Sequence, residues 1–152
     1  MNRRTSTQRP LPAADDHASR FARQREADRS ATAEDYVELI ADLLRENGEA
    51  RAVDIAKRMG VSQATVAATI GRLQRDGLVE TKPYRGLFLT AAGHELAAAA
   101  KRRHEIVVRF LIAVGLDPTT AEEDAEGLEH HVSDKALAAF SRFLKDRDQG
   151  QT

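Results

Sequence analysis

Helical spacing of apolar residues dominates the chain, and strand-like runs interrupt it once. Tyr36, Leu39, Ile40, Leu43 and Leu44 recur at i, i+3, i+4, i+7 and i+8, the stripe of an amphipathic helix. Thr32 and Asp35 have the spacing of a capping motif and predict the start of that helix; Asn47-Gly48 predicts its end. Val53, Ile55, Ala56 and Met59 give a short second apolar face. Gly60 supplies a turn where positive φ costs it little, and Val61 is expected to plug the angle behind it. Ser62 caps a third helix whose Val66, Ile70 and Leu73 turn inward. Gly71 inside that helix costs about 1 kcal/mol relative to Ala.

Leu78-Val79-Glu80-Thr81 and Leu87-Phe88-Leu89-Thr90 read as two strands, with Lys82-Pro83-Tyr84-Arg85-Gly86 as the hairpin loop between them. Thr90 caps a long helix from Ala91 to about Val114, with Leu96, Ala100, Arg103, Val107, Phe110, Leu111 and Val114 on one stripe. Gly115 stops it, Asp117-Pro118 starts the next, and Ser133-Asp134 starts a last helix through Leu137, Phe140 and Leu144.

Two short helices joined by a glycine turn, followed at once by a hairpin, predict a winged helix-turn-helix; the bland alternative is a helical hairpin with a solvated loop. The fold class is therefore mainly α: an N-terminal winged helix-turn-helix with a two-stranded wing, then an α-helical domain for dimerisation. Expected boundaries are a basic, disordered N-terminal tail over 1–30, the winged helix over 31–90, the helical domain over 91–146 and a polar tail over 147–152. Ser62, Gln63, Ala64, Thr65, Ala68 and Arg72, with Arg75, are left on the outer face of the recognition helix, and Lys82 and Arg85 sit in the wing loop. Small and hydroxyl side chains let such a helix approach base edges, while arginine and lysine reach phosphates. The later helices carry more apolar face than about 60 residues can bury alone, so a homodimer reading palindromic double-stranded DNA is expected.

Composition narrows this. The 152 residues hold 23 Lys and Arg against 24 Asp and Glu, so any DNA-binding face must come from local clustering. There is no cysteine, which removes disulfides and thiolate metal sites and fits a reducing cytoplasm. No apolar run approaches the roughly 18 residues of a membrane span, and none resembles a secretory leader.

The candidate chemistry lies in Glu126-Gly127-Leu128-Glu129-His130-His131. Glu126, Glu129 and His130 share one helical face at i, i+3 and i+4, while His131 points elsewhere. Carboxylates with an imidazole suit a borderline-hard divalent ion; an exposed acidic helix with a stray histidine is the other reading. By themselves Asp35 and Glu38 read as surface carboxylates and His104 as a packed residue. No His-Glu-x-x-His stretch, phosphate loop or nucleophile elbow supports a metal-dependent hydrolase, so an enzyme is not expected.

Taken in order, Glu34-Asp35-Tyr36-Val37-Glu38-Leu39, Ser62-Gln63-Ala64-Thr65-Val66, Arg72-Leu73-Gln74-Arg75-Asp76-Gly77-Leu78-Val79, Arg85-Gly86-Leu87-Phe88-Leu89-Thr90, Arg103-His104-Glu105 and Asp124 to Ser133 carry a resemblance. The chain from Glu34 to Phe143 resembles the diphtheria-toxin-repressor family of metal-dependent regulators, in its manganese transport regulator branch. The resemblance implies a metal site built from Asp35, Glu38, His104, Glu126, Glu129 and His130. Iron-responsive relatives typically carry Met and Cys where Asp35 and Glu126 stand, so the implied ion is Mn²⁺, with enough carboxylates for two ions per protomer and Fe²⁺ as the alternative. The implied function is a manganese-dependent repressor of manganese uptake genes. An iron-responsive regulator, or a winged-helix regulator gated by a non-metal ligand, are the alternatives. Ala64 and Ala68 stand where many relatives have Pro and a polar residue, so an operator sequence does not transfer.

Overall fold

The structure of the protein is a computed structural model that describes residues 10–150. Six helices and one hairpin follow in order: α1 Ala14–Asn47, α2 Ala52–Met59, α3 Gln63–Arg75, β1 Val79–Lys82, β2 Gly86–Leu89, α4 Ala91–Ala113, α5 Pro118–Leu128 and α6 Asp134–Gly150.

The first helix departs from expectation. It begins at Ala14, not Thr32, and the Thr32 hydroxyl donates back to the Asp28 carbonyl at 3.1 Å instead of capping. The stretch from Ala14 to Ala31 contains neither proline nor glycine and is rich in Ala and Arg. A helix nucleated by its packed half propagates readily through such residues. The tail reading fails for 14–30, which are helical and mostly exposed; its first nine residues lie outside the described ones. At the other end α6 runs to Gly150, beyond the expected boundary at 146.

Tyr36, Val37, Ile40 and Leu43 of α1 form the spine of the first core. Against them pack Ile55 and Ala56, the inward Val66, Ile70 and Leu73, and Val79, Leu87 and Leu89 of the hairpin. Gly60 turns the chain at φ 68°, and the Ser62 hydroxyl accepts from the Thr65 N–H at 3.1 Å, as the sequence predicts. Val61 does not plug the angle, since both it and Val53 are exposed. Ile55, Ala56 and Val66 fill that space. Nothing in the structure explains Gly71.

The strands pair antiparallel with Val79 opposite Leu89 and Lys82 opposite Gly86. Ala50 bridges to Leu87, and a Cβ at Gly86 would lie 2.5 Å from the Ala50 carbonyl oxygen, so this close approach requires glycine. The Thr90 hydroxyl accepts from the Gly93 N–H at 3.1 Å and donates to the Gly77 carbonyl at 2.6 Å, tying the start of α4 to the end of the recognition helix.

A second, thinner core gathers Val107 and Val108 of α4 with Ala121 and Ala125 of α5, flanked by Leu111, Leu116 and Leu137. The Asp117 carboxylate accepts from the Thr120 N–H at 3.1 Å with Pro118 in the first turn, and Ser133 caps α6. Val114, expected on the buried stripe of α4, is exposed, as are Ile112, Leu128 and Phe143. The Phe110 ring stacks on Phe140 with centroids 3.9 Å apart. No helix among the described residues is long and apolar enough to cross a membrane.

Candidate metal centre and DNA-facing surface

The two cores meet at a cluster of carboxylates and imidazoles. α1 supplies Glu34, Asp35 and Glu38, α4 supplies His104, and the end of α5 supplies Glu126, Glu129 and His130. All six residues expected to hold metal are thereby brought together. The helix carrying the last three stops at Leu128, so Glu129 and His130 lie in the turn after it, a correction to the expected continuous helix. Glu129 keeps helical angles (φ −57°, ψ −35°), its N–H still reaches the Ala125 carbonyl, and the turn then tightens. His131 points away as predicted, with Nε2 3.5 Å from Asp28.

Each imidazole is held from two sides. His104 Nδ1 lies 2.5 Å from Glu129 Oε2, and its Nε2 lies 2.7 Å from Glu122 Oε2. His130 Nδ1 lies 2.9 Å from Glu34 Oε2, and its Nε2 faces Asp35 at 3.1 Å and Glu129 at 3.5 Å. Ionised carboxylates only accept, so a proton lies in each short contact. Among the described residues no three of these side chains stand ready around a common point as ligands of an ion; the oxygens are turned to imidazole N–H groups instead.

The electrostatics are those of crowded negative charge. Burial, then Glu129, Asp35 and Glu126, push the Glu38 carboxyl up to about 7. Burial also raises Asp35, opposed by His130 and reinforced by Glu126 and Glu34. Glu129 is only 3% exposed, and burial raises it against the pull of both histidines. Burial acts to lower His104, but bonds to Glu122 and Glu129 outweigh it and the net shift is upward. Burial likewise opposes the charge on His130, and Glu34, Asp35 and Glu129 together raise it.

This donor set fits a borderline-hard divalent cation: four carboxylates, two imidazoles and no sulfur, with more negative charge than the two rings can neutralise. A groove of about 450 Å³ leads from Glu38, His104 and Glu126 between α1 and α4 past Asp42, His94 and Lys101 to solvent. Sequence reasoning missed Glu34, Glu122 and Arg103 as members of the site. Arg103 lies 3.8 Å from Glu34 and 3.5 Å from Asp134. The available signal was spacing, since Glu34 precedes Glu38, and Glu122 precedes Glu126, by four residues on a common helix face.

In the winged helix, Ser62, Gln63, Ala64, Thr65 and Ala68 are all exposed, as are Lys82 and Arg85. Lys82 Nζ stands 4.8 Å above the Phe88 ring, and Tyr84 at the wing tip is 99% exposed. Arg72 is the exception. Its Nε and Nη2 are buried without a hydrogen-bond partner, so it does not extend from the outer face as expected. On a helical wheel Arg72 falls about 130° from the mean direction of Val66, Ile70 and Leu73, so its burial comes from the long side chain folding back, whereas Arg75 lies opposite the packed face and is exposed.

Helix-turn-helix, wing and carboxylate–imidazole centre define a winged-helix DNA-binding regulator with a metal-binding helical half. The chain belongs to the iron-dependent repressor family. Residues 28–87 match the family model described as "Iron dependent repressor, N-terminal DNA binding domain", and residues 90–150 match "Iron dependent repressor, metal binding and dimerisation domain". Over 131 residues the chain is 52% identical to the transcriptional regulator MntR of Escherichia coli O6:H1 (strain CFT073), covering 86% of this chain and 84% of that one. The fold is shared with the manganese regulator SloR, at a TM-score of 0.66 and 31% identity. It is shared also with a manganese-dependent transcriptional repressor in complex with manganese, at a TM-score of 0.62 and 32% identity. Each match covers 74% of this chain, which spans about half the length of those two solved chains, 53% and 52%. The family is one of regulators and not of enzymes.

Proposed function

We propose that this protein is a Mn²⁺-dependent, homodimeric DNA-binding repressor of manganese uptake genes that acts in the cytoplasm on a palindromic operator. The observation that carries the reading is that the candidate ligands come from both halves of the molecule. Asp35 and Glu38 stand on α1, whose Tyr36, Val37, Ile40 and Leu43 form the core of the winged helix. His104, Glu126, Glu129 and His130 belong to the helical half. The all-oxygen-and-nitrogen set favours Mn²⁺ over softer ions, and the solved relatives described as a manganese regulator and a manganese-dependent repressor support the same ion.

Asp35, Glu38, His104, Glu126, Glu129 and His130 would hold the ion, whose charge neutralises the carboxylates. Without that charge the carboxylates repel one another and weaken the seam between α1 and the α4–α5 unit. With the seam closed, α1 is fixed and so is the direction of α3. Exposed Ile112, Val114, Leu128 and Phe143 supply apolar area for the second copy, which would set two recognition helices at operator spacing. Affinity then rises by pre-organisation, with no new contact to DNA. If the ion favours the DNA-competent arrangement 100-fold, the shift amounts to about 2.7 kcal/mol. The test is capture of genomic fragments by purified protein, with Mn²⁺ or with chelator. Palindromes upstream of uptake genes should be enriched with Mn²⁺ alone; equal enrichment in chelator refutes metal gating, and enrichment with Fe²⁺ in place of Mn²⁺ transfers the assignment to iron.

A further inference from the structure

The turn at the tip of the wing holds a residue that its backbone disfavours. The Arg85 N–H donates to the Lys82 carbonyl at 3.1 Å, closing a four-residue turn with Pro83 second and Tyr84 third. Proline second and a positive φ third mark a type II turn, whose third position favours Gly or Asn. Tyr84 holds φ 62° there, and among the described residues every other positive φ belongs to a glycine. A bulky side chain disfavours that conformation. Nothing within the chain compensates for it, since Tyr84 is 99% exposed and its ring and hydroxyl have no partner among the described residues. A strained residue with an unpacked aromatic ring points to a contact outside the chain.

We propose that Tyr84 is a DNA-contacting residue whose ring lies along the sugar–phosphate wall of the bound duplex while its hydroxyl donates to a phosphate oxygen. Three observations select DNA as the partner. First, the tip is tied to the recognition helix: Gln74 Nε2 of α3 donates to Thr81 Oγ1 at 3.2 Å, one residue before the turn begins. A duplex held by α3 is therefore brought close to the tip. Second, the tip carries positive charge that the chain leaves open. Glu80 lies 3.8 Å from Lys82, but Arg85 has no ion pair among the described residues. Glu49, which lines the same corner as Tyr84 and Arg85, is already paired with Arg51 at 2.9 Å. Third, the tip falls within residues 28–87, which match the DNA-binding domain of the family. A tyrosine suits this wall, because its ring offers apolar area to deoxyribose and its hydroxyl a donor to phosphate. Such a contact fixes the position of the protein on the duplex and reads no base. It adds a non-ionic contact beside the ionic ones of Lys82 and Arg85.

This inference rests on the chain being a DNA-binding regulator and not on which ion gates it. The test measures anisotropy of the full chain with Mn²⁺ on a duplex captured from the genome and on a scrambled one, across a salt series. Tyr84→Gly relieves the positive φ, so its Tm should be no lower than that of the parent. It should nevertheless bind both duplexes about 10-fold more weakly, the scale of one hydrogen bond to a charged oxygen, with the salt slope unchanged because no charge is lost. Tyr84→Phe keeps the ring and should lose only part of that affinity. Arg85→Ala should instead reduce the slope by about 1. A second readout uses the composition of the chain, which has two tyrosines and no cysteine. Tyr36 is 2% exposed, so tetranitromethane should nitrate Tyr84 selectively, and bound DNA should slow that nitration several-fold. The proposal is overturned if Tyr84→Gly binds DNA as tightly as the parent, if its Tm falls, if its salt slope drops as that of Arg85→Ala does, or if Tyr84 is nitrated equally fast in the complex. Parent binding that is equally tight in chelator would remove metal gating and leave the Tyr84 comparison intact.

Discussion

Replacing Glu38 by glutamine should have effects of opposite sign with and without metal. In the metal-free protein the carboxyl is pushed from its ordinary 4.5 up to about 7, first by burial and then by Glu129, Asp35 and Glu126. The folded chain thus holds a proton that the unfolded chain releases, and stability falls as pH rises through that window. A carboxyl raised by one pH unit costs the ionised fold about 1.4 kcal/mol. Because Glu38 is only half-buried, solvent screening reduces the whole effect to about 1–2 kcal/mol. Glu38→Gln keeps the shape and removes the charge. In chelator at pH 8 it should therefore stabilise the fold by about that amount, or raise Tm by about 2–8 °C for a chain of this size. At pH 5 most of the gain should vanish, since the native carboxyl is already protonated there. The same substitution removes a candidate ligand, so the rise in Tm on adding Mn²⁺ should shrink or disappear. Thermal unfolding at two pH values, with chelator and with Mn²⁺ and at one protein concentration, reads both effects. A variant less stable than the parent in chelator at pH 8, or equally stabilised at both pH values, would refute the reasoning.

The other raised groups act in the same direction. Asp35, Glu129, His104 and His130 all bind protons more tightly in the folded metal-free chain. Its Tm should therefore fall between about pH 5.5 and pH 8, while the Tm gain on Mn²⁺ addition grows over the same range; a flat profile in chelator contradicts this. Glu126→Cys should shift preference toward softer ions such as Zn²⁺ and Cd²⁺, read by competition against Mn²⁺, and an unchanged order of affinities would count against Glu126 as a ligand. Lys82→Ala and Arg85→Ala should each weaken DNA binding evenly across sequences and reduce the salt slope by about 1 if the wing contacts phosphates; unaltered slopes would place the wing off the DNA.

Much of the first half was legible because neighbouring signals agree: Gly60, Ser62 and the inward Val66, Ile70 and Leu73 all specify the same helix-turn-helix. Thr32 misled because a capping spacing carries no information about whether the preceding residues are also helical, and here they are. Arg72 misled because a wheel separates inside from outside but does not say how far a long side chain folds back. The metal centre was only partly legible. Glu126, Glu129 and His130 announce themselves by local spacing, but 96 residues separate Glu34 from His130, and only the folded chain brings them to 2.9 Å. Asp35, Glu38 and His104 drew attention through family resemblance, and Glu122 and Glu34 through neither route. A carboxylate whose partner lies on another helix looks, in sequence, like any other surface carboxylate.

The most direct test of metal gating is fluorescence anisotropy of EDTA-treated protein on operator DNA at fixed salt, titrated with Mn²⁺ and separately with Mg²⁺. Tight binding that emerges with micromolar Mn²⁺ and not with Mg²⁺, and that is lost in Glu126→Ala and His130→Ala, is the predicted result. Binding equally tight in chelator would contradict it, because the seam between α1 and the α4–α5 unit would then not be the switch.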